Sequence, residues 1–324
     1  MFTFFPAPSL YSVVHSLSID LTLSRSDFSR NALAIPSEKI RTPIISLHPT
    51  ASTSTSPLHT HQRLFSTSRI MSSPDLTLYT AQTPNGIKIS IALEELGYKE
   101  PYDPPCITPL TVELQLTNNS WFLEINPNGR IPALTDTFTD GQRIRLFESG
   151  SILTYLAETY DKDHKISYPR GTREYYETIS WLYFQNAGLG PMQGQANHFG
   201  RYAPERIEYG VNRYVNETRR LYSVLDKHLA DSKSGFLVGD HITIADISTY
   251  GWVAAAGWAG VDIEEFPNLK AWEERLAARP GVSKGQDVPD KFKIKELLAD
   301  KKRADEEAAK ARAWVQSGMK ADAK

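Results

Sequence analysis

The feature that most constrains the fold is a change of pattern near residue 163. Before it, over residues 74–162, short strand-like runs alternate with helix-like runs. After it, over residues 170–290, every periodic segment has the spacing of a helix. Because segments in this order pack as an α/β layer and then as helices, the sequence predicts a small α/β domain followed by an all-α domain.

Local signals place the elements of the α/β domain. A strand is predicted at residues 76–79 and a helix within the stretch 85–97, where apolar residues recur four apart and Gly97 is a natural stop. Residues 130–136 and 144–149 read as two short strands joined by a turn. Ser149 is expected to cap the helix that follows the last strand.

One helix of the second domain begins with a recognisable cap. Thr243 and Asp246 are three positions apart at the start of an apolar segment. The Thr243 hydroxyl can accept from the backbone inside the helix while the Asp246 carboxylate reaches back, which is a capping box. Removing such a cap costs about 1 kcal/mol.

The two ends of the chain differ from the domains between them. Residues 1–72 are rich in Ser, Thr, Pro and His and carry no long amphipathic period. Such a composition buries too little apolar surface to offset chain entropy, so this extension is predicted to be disordered. Residues 291–324 are charged on nearly every helical face and are expected to form a solvated helix or a frayed tail, with partner binding as an alternative.

The amino-terminal extension permits three interpretations. It is Arg- and Ser-rich and poor in acids, which is typical of a mitochondrial presequence. Arg63, Phe65 and Ser68 match the register of the processing site in fungal mitochondrial precursors. Alternatively, translation begins at Met71 and leaves a cytoplasmic protein. A wrongly assigned upstream start is the third interpretation.

Composition excludes several classes of protein. The net charge of the 324 residues is −2, which argues against a nucleic-acid-binding surface. Cys106 is the single cysteine, so neither an internal disulfide nor a cysteine metal cluster can form. No apolar run reaches the roughly 18 to 20 residues that a membrane helix needs. We therefore expect a soluble protein with no metal, no nucleic acid and no membrane partner.

A proline at a strand entry marks the first candidate ligand contact. Pro132 cannot donate to a strand ladder, so Ile131-Pro132 indicates either an edge strand or a cis-proline turn. Either arrangement exposes the Ile131 backbone N–H and C=O groups, with which an extended peptide could pair.

The second candidate contact is Glu148-Ser149. The Ser149 hydroxyl and the following backbone N–H groups suit a carboxylate at the positive end of a helix. The Glu148 carboxylate could pair with an ammonium. Together they suit the head group of an α-amino acid, although an N-cap preceded by a surface acid would look the same.

The third is the stretch Thr83-Pro84-Asn85-Gly86, between the first strand and the first helix. This arrangement could hold a thiolate. Lowering the pKa of a thiol by two units takes about 2.7 kcal/mol, and a helix terminus supplies about 0.3 to 1 kcal/mol. A side-chain donor, worth about 1.5 to 3 kcal/mol to a charged group, is therefore needed. Thr83 and Asn85 offer such donors, and a simple capped turn remains the alternative.

Five stretches together resemble one family: "TPNGIKISIALEELG", "INPNGRIPAL", "LFESGSILTYL", "QNAGLGPMQGQANHF" and "TIADI". They are similar to glutathione transferases, most of all to the fungal and bacterial branch related to the yeast nitrogen-regulator prion protein and to bacterial glutathione-dependent disulfide reductases. The resemblance spans about residues 76 to 290. It implies a thioredoxin-like domain, an all-helical domain and a homodimer.

The resemblance also implies roles for individual residues. Asn85 would donate to the glutathione sulfur, with Thr83 close by. Ile131 would pair its backbone with the cysteine of glutathione, beside a cis Pro132.

Further contacts follow from the same resemblance. Glu148 and Ser149 would hold the γ-glutamyl ammonium and carboxylate, and Arg213 would reach the bound tripeptide. Relatives often carry Gln or Lys for the glycyl carboxylate where this chain has Thr117-Asn118. The glycyl contacts are therefore left open.

Two other candidate catalytic residues fit less well. Tyr79 falls inside the first strand, before the turn, and is expected to be a packed strand tyrosine. Cys106 is far from the helix start at which cysteine-dependent relatives place their nucleophile, and is interpreted as structural.

A second-substrate pocket is expected between the domains, lined by aromatic residues of the helical domain. The candidates are Trp181, Phe184, His198 and Phe199. Packing in the core would explain most of these aromatics equally well.

The resulting hypothesis is an enzyme with glutathione as co-substrate and no metal. The glutathione thiolate would attack an electrophilic carbon or a disulfide, and the sequence does not separate the two. The alternatives are a glutathione-binding regulatory module with little turnover, a sulfur-transfer enzyme of secondary metabolism, and a scaffold that uses the charged tail.

Overall fold

A four-stranded sheet forms the centre of the first domain. The computed structural model describes residues 76–98, 107–109 and 119–322. The strand order is β2-β1-β3-β4, with β1 and β2 parallel and the other two pairs antiparallel. The strands are β1 (Thr77–Thr80), β2 (Ile107–Pro109), β3 (Ala133–Thr137) and β4 (Arg143–Phe147). The expected disorder of residues 1–72 lies outside the described residues.

Three helices accompany the sheet, namely α1 (Gly86–Leu96), α2 (Ser120–Leu123) and α3 (Ser149–Tyr160). Residues 86–93 of α1 are all buried, because α1 packs against α3 on one side and against the helical domain on another. The expected strands and the two longer helices are confirmed. β2 and α2 were not expected, since three or four residues carry too short a period to recognise.

The second domain consists of helices. They are α4 (Arg173–Tyr183), α5 (Gly190–Asn197), α6 (Glu208–Ala230), α7 (Ile244–Ala254), α8 (Pro267–Ala277), α9 (Pro280–Gly285), α10 (Ile294–Ala299) and α11 (Lys301–Asp322). Phe184–Leu189 and His198–Tyr202 are π-helical segments on either side of α5. The predicted fold, a thioredoxin-like α/β domain followed by an all-α domain, is confirmed. Within the described ranges, no helix is both long and apolar enough to cross a bilayer.

The predicted capping box at the start of α7 is present. The Asp246 carboxylate accepts from the backbone N–H of Thr243 at 2.9 Å, and the Thr243 hydroxyl accepts from the helix. The same carboxylate also accepts from Leu237 N and from the buried Trp272 indole, both at 2.9 Å. Asp246 therefore ties three separate segments of the helical domain together.

Two local expectations need correction. Ser149 does not cap α3: Glu148 occupies the N-cap position without a side-chain hydrogen bond, and Ser149 is the first helical residue. The carboxyl-terminal segment is helical, but it is not solvated on all faces. Ala304 and Ala308 of α11 are buried in a cluster with Ala255 and Trp258, because small side chains allow close packing.

Candidate functional site

A cleft of about 240 Å³ lies where the first domain meets the second. Five of the residues predicted to contact a ligand line it: Asn85, Ile131, Pro132, Glu148 and Ser149. Although 64 positions separate Asn85 from Ser149, the packing of α1 against α3 brings their helix starts to one place. The tertiary fold thus brings together five of the seven residues predicted to contact glutathione.

Asn85 has a defined orientation. Its Oδ1 atom accepts a 3.0 Å hydrogen bond from the indole Nε1 of Trp252, which lies on α7. Because the oxygen is engaged there, the Nδ2 amide hydrogens lie on the other side of the group. Asn85 and Trp252 both line the cleft, so an anion at the start of α1 would meet a donor.

Thr83 has a different position from Asn85. Its hydroxyl oxygen accepts from Gly86 N at 3.0 Å, and its carbonyl accepts from Ile87 N at 3.1 Å. Thr83 does not line the cleft, and its two acceptors instead satisfy backbone N–H groups at the start of α1. The chain also needs glycine at position 86, since a Cβ there would lie 2.2 Å from Ala81 O.

The loop before β3 presents a backbone edge to the cleft. The Ile131–Pro132 peptide bond is cis. Asn126 is buried and holds the loop, since its amide nitrogen donates to Arg130 O at 2.6 Å and its amide oxygen accepts from Asn128 N at 2.9 Å. The buried Asn126 side chain therefore fixes the backbone path of the loop that leads into Ile131.

The turn into α3 contains an unusual backbone conformation. Glu148 has a φ of 66°, which residues other than glycine rarely adopt and which is often found at binding sites. This conformation leaves the Glu148 carboxylate exposed at the cleft, next to the buried Ser149. A Cβ at Gly150 would lie 2.2 Å from Asn186 Nδ2, so only glycine lets Asn186 approach this turn.

A buried lysine lies behind Ser149. The side chain of Lys88, on α1, is fully buried, and its Nζ donates to Ser149 Oγ at 3.0 Å and to Gln185 Oε1 at 2.6 Å. Burial lowers the pKa of Lys88 to about 7, and the Glu148 carboxylate opposes this shift. A titratable cation is thus part of the wall behind the cleft.

The remaining predicted contacts are located elsewhere. Arg213 lies on an exposed face of α6, 3.8 Å from Glu217, and does not line the cleft. Trp181 and Phe184 contact each other edge to face and pack against the core. His198 and Phe199 belong to the π-helical segment after α5, where Phe199 stacks on Tyr214. Their roles in binding stay predictions.

Several cleft residues were not expected from the sequence. They are Asn126, Arg130, Gln185, Asn186, Gly190, Pro191 and Trp252. Gln185 and Asn186 lie in the "QNAGLGPM" stretch, so that resemblance was the one available signal for them. Neither Thr117-Asn118 nor Cys106 belongs to the described residues. Tyr79 is a buried strand residue packed on Phe122, as predicted.

Comparisons with known proteins agree with this geometry. Residues 84–159 match the N-terminal domain of glutathione S-transferases, and residues 201–280 match the C-terminal domain of the same family. The disulfide-bond oxidoreductase YfcG of Escherichia coli is 40% identical over 215 residues, which cover 64% of this chain and 92% of that protein.

Two solved structures are also similar. A glutathione transferase homologue from Lodderomyces elongisporus, crystallised with two glutathione molecules per subunit, is 44% identical with a TM-score of 0.62, covering 66% of this chain and 98% of its own. The transferase URE2P6 from Phanerochaete chrysosporium, in complex with oxidised glutathione, is 38% identical with a TM-score of 0.58. The match covers 66% of this chain and 96% of that protein.

The chain belongs to the glutathione S-transferase family. Its fold is therefore the two-domain fold of that family, and its function is a glutathione-dependent transfer or disulfide reduction. The resemblance inferred from the five sequence stretches is confirmed.

Proposed function

We propose that the protein reduces mixed disulfides of glutathione, using a second glutathione as the nucleophile. The observation that carries this proposal is the Trp252–Asn85 hydrogen bond, which turns the Asn85 amide hydrogens away from Trp252 at the start of α1. Most side chains of the cleft are polar, which suits a peptide-bearing disulfide better than an apolar electrophile. The disulfide-bond oxidoreductase relative and the neighbours holding two glutathiones or oxidised glutathione support the same choice.

The reaction needs no thiol from the protein. Glutathione would lie with its cysteine beside Ile131 and its γ-glutamyl group at Glu148 and Ser149. Asn85 Nδ2 would donate to the sulfur and favour the thiolate, which is the nucleophilic form. The thiolate attacks the glutathionyl sulfur of the mixed disulfide, the old S–S bond breaks, and oxidised glutathione forms. The departing thiolate takes a proton from water.

The test compares two substrates and two variants. Full-length protein is assayed with glutathione and the mixed disulfide of glutathione and 2-mercaptoethanol, and separately with 1-chloro-2,4-dinitrobenzene. Asn85→Ala should lower kcat/KM on the disulfide by about ten- to a hundredfold, because it removes a hydrogen bond to a charged sulfur. Asn216→Ala, an exposed asparagine on α6, is the matched control.

Three results would contradict parts of the proposal. Turnover on the aryl halide alone would establish conjugation instead. Bound glutathione with no turnover on either substrate would favour a regulatory module. An Asn85→Ala variant that is as active as Asn216→Ala would remove Asn85 from the catalytic role.

We also propose that the protein works as a homodimer. α4 exposes Tyr176 and Tyr183, which are 59% and 67% exposed and lie along one groove of the surface. Aromatic side chains grouped on one face suit burial against a second copy. Sedimentation should show a dimer that Tyr183→Glu dissociates and that Tyr209→Glu, an exposed tyrosine on α6, leaves intact.

The cellular location is proposed from the sequence alone. The full-length chain is expected to reach mitochondria, and a chain started at Met71 is expected to stay in the cytoplasm. Tagging each form separately and imaging it tests the proposal. Identical distribution of the two forms would show that residues 1–70 do not direct import.

A further inference from the structure

Lys88 is a charged side chain in an unusual place. It lies three residues after Asn85 on α1, and its side chain is fully buried between α1, the start of α3 and the π-helical segment that carries Gln185. Burying an ammonium is unfavourable unless something requires it, because the charge loses its hydration. Replacement of a buried charge by an apolar side chain often stabilises a protein, so the fold alone does not explain Lys88.

The two hydrogen-bond partners of the ammonium are neutral. They are the hydroxyl of Ser149 and the side-chain carbonyl of Gln185. Among the elements packed on α1, α3 brings the Glu148 carboxylate, which acts on Lys88 from the cleft. Asp246 of α7 is committed to its cap, and Lys284 of α9 is exposed. The positive charge is therefore only partly balanced within the protein.

The contact with Lys88 sets the direction of the Ser149 hydroxyl. Since Ser149 Oγ accepts a hydrogen bond from Lys88 Nζ, the hydroxyl hydrogen of Ser149 must point elsewhere. The available partner is Asn186 Oδ1 at 3.4 Å, which is a long contact, and the cleft lies on the same side. A carboxylate in the cleft would accept this hydrogen at a shorter distance and would also balance the charge behind it.

We propose that Lys88 is a positioning residue that links the binding of a γ-glutamyl carboxylate to the uptake of a proton. Its ammonium polarises the Ser149 hydroxyl toward the carboxylate, so the ligand binds most tightly when Lys88 is protonated. This inference rests on the proposed glutathione site. Glutathione affinity therefore falls as the pH rises above neutrality.

The acid–base properties of Lys88 agree with this geometry. Burial lowers its pKa to about 7, so the amine is only partly charged near neutral pH. A carboxylate that arrives next to Ser149 favours the ammonium and raises that pKa. The number of protons taken up on binding is the protonated fraction of Lys88 in the bound protein minus that in the free protein.

Isothermal titration calorimetry measures this number directly. Full-length protein is titrated with S-methylglutathione, which has no thiol to titrate, at pH 6, 7 and 8 in two buffers of different ionisation enthalpy. The expected uptake is close to zero at pH 6 and about half a proton or more at pH 8. This measurement needs no variant.

A variant assigns the proton to the lysine. Lys88→Met has a similar length without the charge and should bind S-methylglutathione about ten- to a hundredfold more weakly at pH 6. The deficit should shrink at pH 8, where wild-type Lys88 has lost most of its charge, and the proton uptake should fall relative to wild type. Subtracting the two titrations removes any proton exchanged by the ligand ammonium. Lys227→Met, an exposed lysine on α6, is the control and should match wild type.

Two outcomes overturn the inference and are distinguishable. Wild type that binds S-methylglutathione without proton uptake at pH 8, or a Lys88→Met variant weaker by one constant factor at every pH with unchanged uptake, would assign Lys88 a merely structural role. Wild type that binds neither S-methylglutathione nor glutathione would overturn the proposed function, and this inference with it.

Discussion

The indole nitrogen of Trp252 and the amide oxygen of Asn85 are joined by a 3.0 Å hydrogen bond across 167 positions of sequence. Trp252 belongs to the helical domain and Asn85 to the thioredoxin-like domain, so the orientation of the predicted sulfur donor depends on how the two domains pack. The same packing of α1 against α7 buries Ile87 beneath Gly251. The orientation of the proposed sulfur donor and the packing of the domains therefore depend on one contact.

Trp252→Phe should lower kcat/KM on a mixed disulfide by about three- to tenfold, because the Asn85 amide loses its fixed orientation. The effect should largely disappear in the Asn85→Ala background, as a double-mutant cycle would show. Trp258→Phe is the matched control, since Trp258 is equally buried and donates to Tyr202 instead. Equal losses in both tryptophan variants would indicate a general packing effect.

Glu148→Gln should raise the KM for glutathione by about fivefold or more while kcat changes little, because it removes the carboxylate expected to pair with the γ-glutamyl ammonium. Steady-state kinetics with glutathione as the varied substrate measures the two constants separately. Glu205→Gln, at an exposed position outside the cleft, should leave both constants unchanged. A fall in kcat with constant KM would place Glu148 in the chemical step.

Without ligand, the stability of wild type should rise with pH above neutrality. The pKa of Lys88 is about 7 in the folded protein and 10.5 in the unfolded chain, so between these values the unfolded state binds more protons. The free energy of unfolding of Lys88→Met, minus that of wild type, should therefore fall by about 2 kcal/mol from pH 7 to pH 9. Urea unfolding of both proteins at each pH measures this difference. A constant difference would contradict the lowered pKa.

Asp246→Ala should destabilise the fold by at least about 3 kcal/mol, because four buried donors lose their acceptor together. Asp262→Ala is a useful comparison, since Asp262 caps a short exposed turn through Glu264 N and should cost under about 1 kcal/mol. Urea unfolding monitored by tryptophan fluorescence measures both losses. Similar costs would mean that the buried network contributes no more than an ordinary cap.

Ala308→Glu should release α11 from the helical domain, because it places a charge in the cluster that includes Trp258. Ala309→Glu, one position further along and exposed, should leave α11 in place. Hydrogen exchange of the α11 amides reports the result. Equal protection in the two variants would show that the buried alanine face does not hold the helix.

The elements that the sequence predicted are those with local causes. Apolar spacing in α1, the turn before β4 and the Thr243–Asp246 box each depend on residues within a few positions. The cleft residues Asn85, Ile131 and Glu148 were predicted because each occupies a short stretch with its own chemistry. Ser149 was misassigned as a cap, since the buried Lys88 that engages its hydroxyl lies 61 positions away.

By itself, the sequence determined the order of elements, the two domains and the residues with ligand-binding chemistry, because those properties depend on neighbours along the chain. Only the tertiary structure showed that Lys88 is buried behind Ser149 and that Trp252 orients Asn85. In the sequence, Lys88 lies between two isoleucines and outside the apolar spacing that predicts α1. Burial and long-range hydrogen bonds depend on which helices pack together, and no local pattern specifies that.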